Sequence, residues 1–134
     1  MLTKHKLFYL LLKRYIESNV SAQRRIDARL SIEFSKWLQD KRYLENVRED
    51  EAAGEMNMTR EQLSFFCATV MGRPFRQLRK EYRIREATVI LRLNPDISLE
   101  MLGGMVGIPD KSNFRKQFRD ILGCSPREWL DDNL

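Results

Sequence analysis

The 134-residue chain has few of the residues from which active sites are usually built. It contains one histidine, His5, and two cysteines, Cys67 and Cys124, with no CxxC or Cys/His spacing. A structural zinc site takes about four ligands, so neither a metal site nor a cofactor is expected. No Ser/His/Asp or Cys/His constellation is present. The pair Gly103-Gly104 lies in a helical pattern without the rest of a phosphate-cradling loop. These absences argue against an enzyme. Two lone thiols read as reduced, intracellular and small core residues, with a redox sensor as the alternative.

Long apolar runs are missing too. Leu7 to Leu12 is a run of six, flanked by Lys4, Lys6 and Lys13-Arg14. A secretory h-region takes roughly 7–15 apolar residues and a membrane span about 20. A cytoplasmic protein without a membrane partner is therefore expected. Only six glycines and four prolines punctuate the chain, and period-2 alternation is scarce. The reading is all-α, with one domain or two small units.

What the chain does have is charge and an adequate core. Charged residues make up 32%, hydrophobic ones 43%, and the formal net charge is +5. A basic globular chain suits an anionic partner. The N-terminal rows Leu7, Leu11, Tyr15 and Phe8, Leu12, Ile16 step by four and form an apolar stripe on a helix. A second helix is expected from about Ser21 to Gln39, with Ile26, Leu30, Phe34, Trp37 and Leu38 inward. A short helix follows from about Val47 to Met56, with Glu49, Asp50 and Glu51 in its first turn, where the helix dipole favours acids. Thr59 and Gln62 match a capping box, so another helix runs to about Met71, where Gly72 ends it. Pro74 opens a long helix to about Leu93, with Phe75, Leu78, Tyr82, Ala87, Ile90 and Leu91 apolar. Asn94-Pro95 stops it. Ser98 caps a helix to about Val106.

Two windows of this pattern repeat. Met58 and Ile108 are 50 positions apart; Leu63 and Phe114 are 51 apart, as are Gly72 and Gly123. One extra residue in the second turn accounts for the slip. Asn57 then matches Gly107, and both tolerate a left-handed turn. The chain reads as two helix-turn-helix units, about 47–71 and 98–122, joined by a connecting helix at about 74–93. A connector of about 18–20 residues spans about 28 Å, against about 34 Å between successive major-groove faces of B-DNA.

The run Arg83-Ile-Arg-Glu-Ala-Thr-Val-Ile-Leu91, then Ile97-Ser98, then Val106-Gly-Ile-Pro-Asp-Lys-Ser-Asn-Phe114, Phe118 and Gly123-Cys-Ser-Pro-Arg-Glu-Trp129 carry a resemblance. The chain from about Ser31 to Trp129 resembles the DNA-binding domain of the AraC/XylS family of bacterial transcription regulators. The resemblance implies seven helices, with the third and sixth entering the major groove. It divides the chain into an N-terminal helical extension, 1–30, and a DNA-binding domain, 31–134. Most members add a sensory or oligomerisation domain, and about 30 residues are too few for a ligand-binding barrel.

In the second unit Phe114, Phe118 and Ile121 or Leu122 form the core face. Ser112, Asn113, Arg115, Lys116 and Arg119 lie opposite. Asn can read adenine, and Arg or Lys guanine; the resemblance also turns Ser112, Asn113, Arg115 and Lys116 toward bases. Alone, this face is equally a solvated basic helix. In the first unit the matching positions hold Arg60, Glu61, Ser64 and Phe65. Glu61 accepts from cytosine but repels phosphate, and Phe65 offers only apolar contact. Cys67 replaces a Phe usual in the family's core. Most sequence discrimination is therefore expected from the second unit.

The connector and its entry carry Arg73, Arg76, Arg79, Lys80, Arg83, Arg85 and Arg92 against Glu81 and Glu86. Phosphate candidates are Thr59, Arg76, Arg79 and Arg119, with Arg83 alternatively structural. The expected partner is double-stranded DNA. The N-terminal stripe leaves three readings: packing on the domain, a homodimer or partner-protein interface, or a membrane surface. The competing function is a protein-interaction module derived from this fold, which Glu61 and Phe65 keep open.

Overall fold

The computed structural model describes residues 3–134, and no strand occurs among them. Helix α1 runs without a break over Lys4–Gln39, 36 residues, or about 54 Å. Thr3 caps it, its hydroxyl accepting from the Lys6 amide at 3.3 Å. This corrects the expectation of two helices. Ser18, Asn19 and Ser21 lower helix propensity by only a fraction of 1 kcal/mol each, and no glycine or proline interrupts them. Only the last part of α1 docks: Leu30, Phe34 and Trp37 are buried. Ile26, expected inward, is 41% exposed. The apolar residues from Leu7 to Val20 are 44–68% exposed, so packing of that stripe on the domain is excluded.

After α1, Lys41 takes a left-handed conformation (φ 53°), and a 3-10 turn follows at Arg42–Leu44. Helix α2 spans Glu49–Glu55, with the three acids in its first turn as expected. Helix α3 spans Arg60–Phe66 and has the full capping box: Gln62 N–H donates to Thr59 and the Thr59 amide to Gln62. The helix then widens into a π-helical stretch, Cys67–Met71, which Gly72 ends at φ 74°.

Helix α4 is Phe75–Leu93, and Pro74 is its N-cap rather than its first residue. Helix α5 is Leu99–Met105, capped by Ser98. Helix α6 is Lys111–Leu122, capped by Asp110, and helix α7 is Pro126–Asn133, capped by Ser125.

The buried side chains fall into two clusters. Leu30, Phe34, Trp37, Met56, Leu63, Phe66, Phe75 and Leu78 belong to the first. Ile84, Ala87, Leu91, Leu102, Val106, Phe114, Phe118 and Leu130 belong to the second. Helix α4 serves both. At 100° per residue, Phe75, Leu78 and Tyr82 face one side of α4, while Ile84, Ala87 and Leu91 face the opposite side. Of the apolar positions read from the sequence, Tyr82 and Ile90 are only partly buried, and Ile84, not among them, is fully buried.

Candidate nucleic-acid interface

The two turns are built alike. Asn57 (φ 56°) and Gly107 (φ 80°) both take the left-handed conformation. In the first turn the Met58 amide donates to Ala53 O at 3.0 Å. In the second the Ile108 amide donates to Gly103 O at 2.7 Å. Gly103 also explains itself: a Cβ there would run into the Ile108 carbonyl and stand 3.4 Å from Phe114. Close approach of α5 to α6 therefore requires glycine. Gly104 is open, with nothing within 4 Å of an added Cβ, and nothing in the structure explains it.

Asp110 fixes the start of α6, its carboxylate accepting from the Asn113 amide at 2.7 Å. Phe114 and Phe118 are fully buried with ring centroids 5.9 Å apart. Ile121 and Leu122 are both half-buried. That anchoring leaves Ser112, Asn113, Arg115, Lys116 and Arg119 exposed. Gln117 donates to the Asn113 side chain at 3.2 Å. Arg119 lies 3.8 Å from Glu128. Arg115 and Lys116 have no acidic partner among the described residues.

On α3, Arg60, Glu61, Ser64 and Phe65 are exposed, and Phe65 is 59% exposed although large and apolar. Leu63 and Phe66 hold the helix down. Cys67 is fully buried behind them. Burial, with the Glu49 carboxylate nearby, pushes its thiol up to about 12, so it stays protonated at neutral pH and does not suit a redox sensor.

The cations of α4 and of the segment just before it divide into groups. Arg76 is exposed without an ion pair among the described residues. Arg73 is tied to Glu81 at 2.6 Å and Lys80 to Asp120 at 3.2 Å. Arg79 is half-buried, donates to the Val47 carbonyl and lies over the Phe75 ring. One face of its guanidinium is thus already in use. Arg76, Arg79, Lys80, Asn113 and Lys116 line one polar cleft between α4 and α6.

Arg83 is the one buried charged side chain among the described residues. Its Nε donates to Tyr43 O at 2.6 Å, Nη2 to Glu45 O at 2.8 Å, and Nη1 to Gly107 O at 3.4 Å. Burial, with Arg79 nearby, pulls its pKa down to about 10, which still leaves it charged at neutral pH. It ties the segment before α2 to the turn of the second unit. The structural alternative for Arg83 is therefore the one observed.

Another polar contact, which no local sequence pattern signals, lies behind the first unit. Trp37 Nε1 donates to Glu55 at 2.9 Å and Arg42 pairs with the same carboxylate at 2.8 Å. These hydrogen bonds, Arg42 first, hold Glu55 below the usual carboxylate range against the effect of burial. No group of three or more metal-ligating side chains occurs among the described residues, and no described helix is long and apolar enough to cross a membrane.

Two capped helices, each behind a left-handed turn and each anchored by its apolar face, define a tandem helix-turn-helix protein. The family model described as "Helix-turn-helix domain" matches residues 52–132, more than half of the chain. The chain belongs to this AraC-type helix-turn-helix family, whose members are DNA-binding transcription regulators rather than enzymes. No curated protein matches it in sequence.

Among solved structures it is similar to a DNA-binding transcriptional dual regulator from Escherichia coli K-12. The identity is 18%, the TM-score 0.63, and 80% of this chain and 90% of that one are covered. It is also similar to the C-terminal domain of AraT, a response regulator from Geobacillus stearothermophilus, with 19% identity, TM-score 0.63, and 81% and 83% covered. A third similarity is to the DNA-binding domain of AdpA, a global transcriptional factor solved with a target DNA, with 21% identity, TM-score 0.64, and 77% and 90% covered. At these identities the likeness establishes the fold.

Proposed function

We propose that the chain is a sequence-specific DNA-binding regulator of transcription, acting in the bacterial cytoplasm. Residues 31–134 form its DNA-binding domain, and α3 and α6 enter adjacent major-groove segments. The observation that carries this is α6: two buried phenylalanines fix the helix, and Ser112, Asn113, Arg115 and Lys116 are exposed on its outer side. These are the side chains that pair with adenine and guanine edges. The length of α4, 19 residues or about 28 Å, supports two units reaching successive groove faces about 34 Å apart.

On α3, Arg60, Glu61, Ser64 and Phe65 take the corresponding places with poorer chemistry. Thr59, Arg76 and Arg119 are assigned to phosphates. Arg79 shares that role only with the part of its guanidinium that Val47 leaves free. The AdpA domain, solved on DNA, supports the same use of this fold here.

Selection of bound duplexes from a random pool, followed by a salt titration of the winner, tests this. With Arg76, Arg79 and Arg119 neutralising about three phosphates, log K falls against log salt with a slope of about −3. Absence of binding even at low salt rejects the reading. One observation favours a second reading, a protein-interaction module: Phe65 and Glu61 give α3 an apolar and acidic surface. On that reading pull-down by a regulator protein survives where DNA binding fails.

A further inference from the structure

The uncovered part of α1 has a seam with the geometry of a helix pair. Phe8, Leu12, Tyr15, Asn19, Ala22 and Ile26 follow one another in steps of four and three, the spacing of a and d positions in a heptad. The same stripe continues with Leu30, Phe34 and Trp37, which dock into the first unit. From Leu30 onward the domain covers the stripe. Before it, Phe8, Leu12 and Tyr15 are 68%, 45% and 66% exposed.

We propose that a second copy of this chain covers this seam, with the two α1 helices antiparallel. A parallel pair is blocked by the fold. Each domain packs on the seam face of its own helix, so both would fill the same space between the helices. An antiparallel pair puts the domains at opposite ends. Centred near residue 17, it sets Phe8 of one copy against Ile26 of the other, Leu12 against Ala22, and Tyr15 against Asn19. Large meets small, and the phenol meets an amide that can bond it.

The flanks are self-complementary as well. Ile16 meets Ile16 and Ser18 meets Ser18 at the two-fold axis; Tyr9 meets Gln23, and Leu11 meets Arg25. No like charges oppose one another across the seam. An isologous contact of this kind closes as a dimer. Seven apolar side chains per copy, at roughly 100 Å² each, cover about 1,400 Å². A specific interface takes about 1,200–2,000 Å². The proposal does not depend on DNA binding.

Light scattering on the eluting full-length protein reads the mass directly. The expected value is twice 16.0 kDa, falling to one copy in Leu12→Glu with the melting of residues 31–134 unchanged. A monomeric wild type, a larger assembly, or a Leu12→Glu variant that stays dimeric overturns the proposal. Orientation is read by oxidation in a Cys124→Ser background, Cys67 being buried. Ser18→Cys is expected to cross-link two copies and Asn19→Cys is not. The reverse pattern overturns the antiparallel arrangement. Anionic vesicles that capture the wild-type helix as a monomer also overturn it.

Discussion

Arg83 of α4 touches the turn of the second unit at Gly107: its Cζ would stand 3.1 Å from a Cβ added there, and its Nη1 bonds the Gly107 carbonyl. The same Cβ would meet the Leu44 carbonyl at 2.5 Å, at a φ of 80°. Gly107→Ala thus combines left-handed strain of about 1–2 kcal/mol with a clash against backbone. It is expected to lose about 2–4 kcal/mol in a urea melt. Arg83→Lys keeps the charge but loses the fork that reaches three carbonyls and is expected to lose a similar amount. The two losses should not add, because the residues share one contact.

The neighbouring glycines of α5 should respond in opposite directions. Gly104 is exposed, and a Cβ there meets nothing, so Gly104→Ala is expected to stabilise by about 1 kcal/mol. Gly103→Ala drives its Cβ into the Ile108 carbonyl and is expected to destabilise by more than that. Thermal melts of the two single variants decide it.

Glu55 gives the fold a pH dependence. Its folded pKa is lowered, chiefly by the Arg42 hydrogen bond and also by Trp37. Its contribution is therefore present above the unfolded carboxylate value and is lost as pH falls through the lower folded one. Glu55→Gln is expected to lower stability at pH 7 and to flatten the loss on the acid side. A set of urea midpoints from neutral to acidic pH, compared with the wild type, shows whether the two curves converge.

Base-facing and phosphate-facing residues should separate in DNA binding. Arg115→Ala is expected to lose about 1–3 kcal/mol and to relax discrimination at one position. Arg76→Ala is expected to weaken all sequences alike and to reduce the salt slope by about 1. Glu61→Ala should leave discrimination largely intact. The opposite pattern, with Glu61 decisive and Arg115 silent, would assign specificity to α3 instead of α6.

Much of this arrangement is legible in the sequence because turns and caps are local. Asn57, Gly107, Thr59, Ser98 and Asp110 each act through atoms within a few residues, so their types announce their places. Helix α4 was harder to read. Its two cores lie on opposite faces, and a single apolar stripe does not exist to be found. Ile84 and Arg83 fall where the face changes, so neither stands out in an apolar stripe counted from Phe75. The unbroken α1 was hidden by Ser18, Asn19 and Ser21, which resemble a break without a residue that enforces one. The Trp37–Glu55 contact joins residues 18 apart on different helices, and no local pattern signals it.

The two-faced build of α4 makes its length a matter of phase. One residue inserted at its middle would turn the second core by about 100° and advance it about 1.5 Å. Four inserted residues would bring it back to within about 40° while moving it about 6 Å. Like the lobes on a camshaft, the two recognition helices keep their relative timing only while the shaft between them keeps its count.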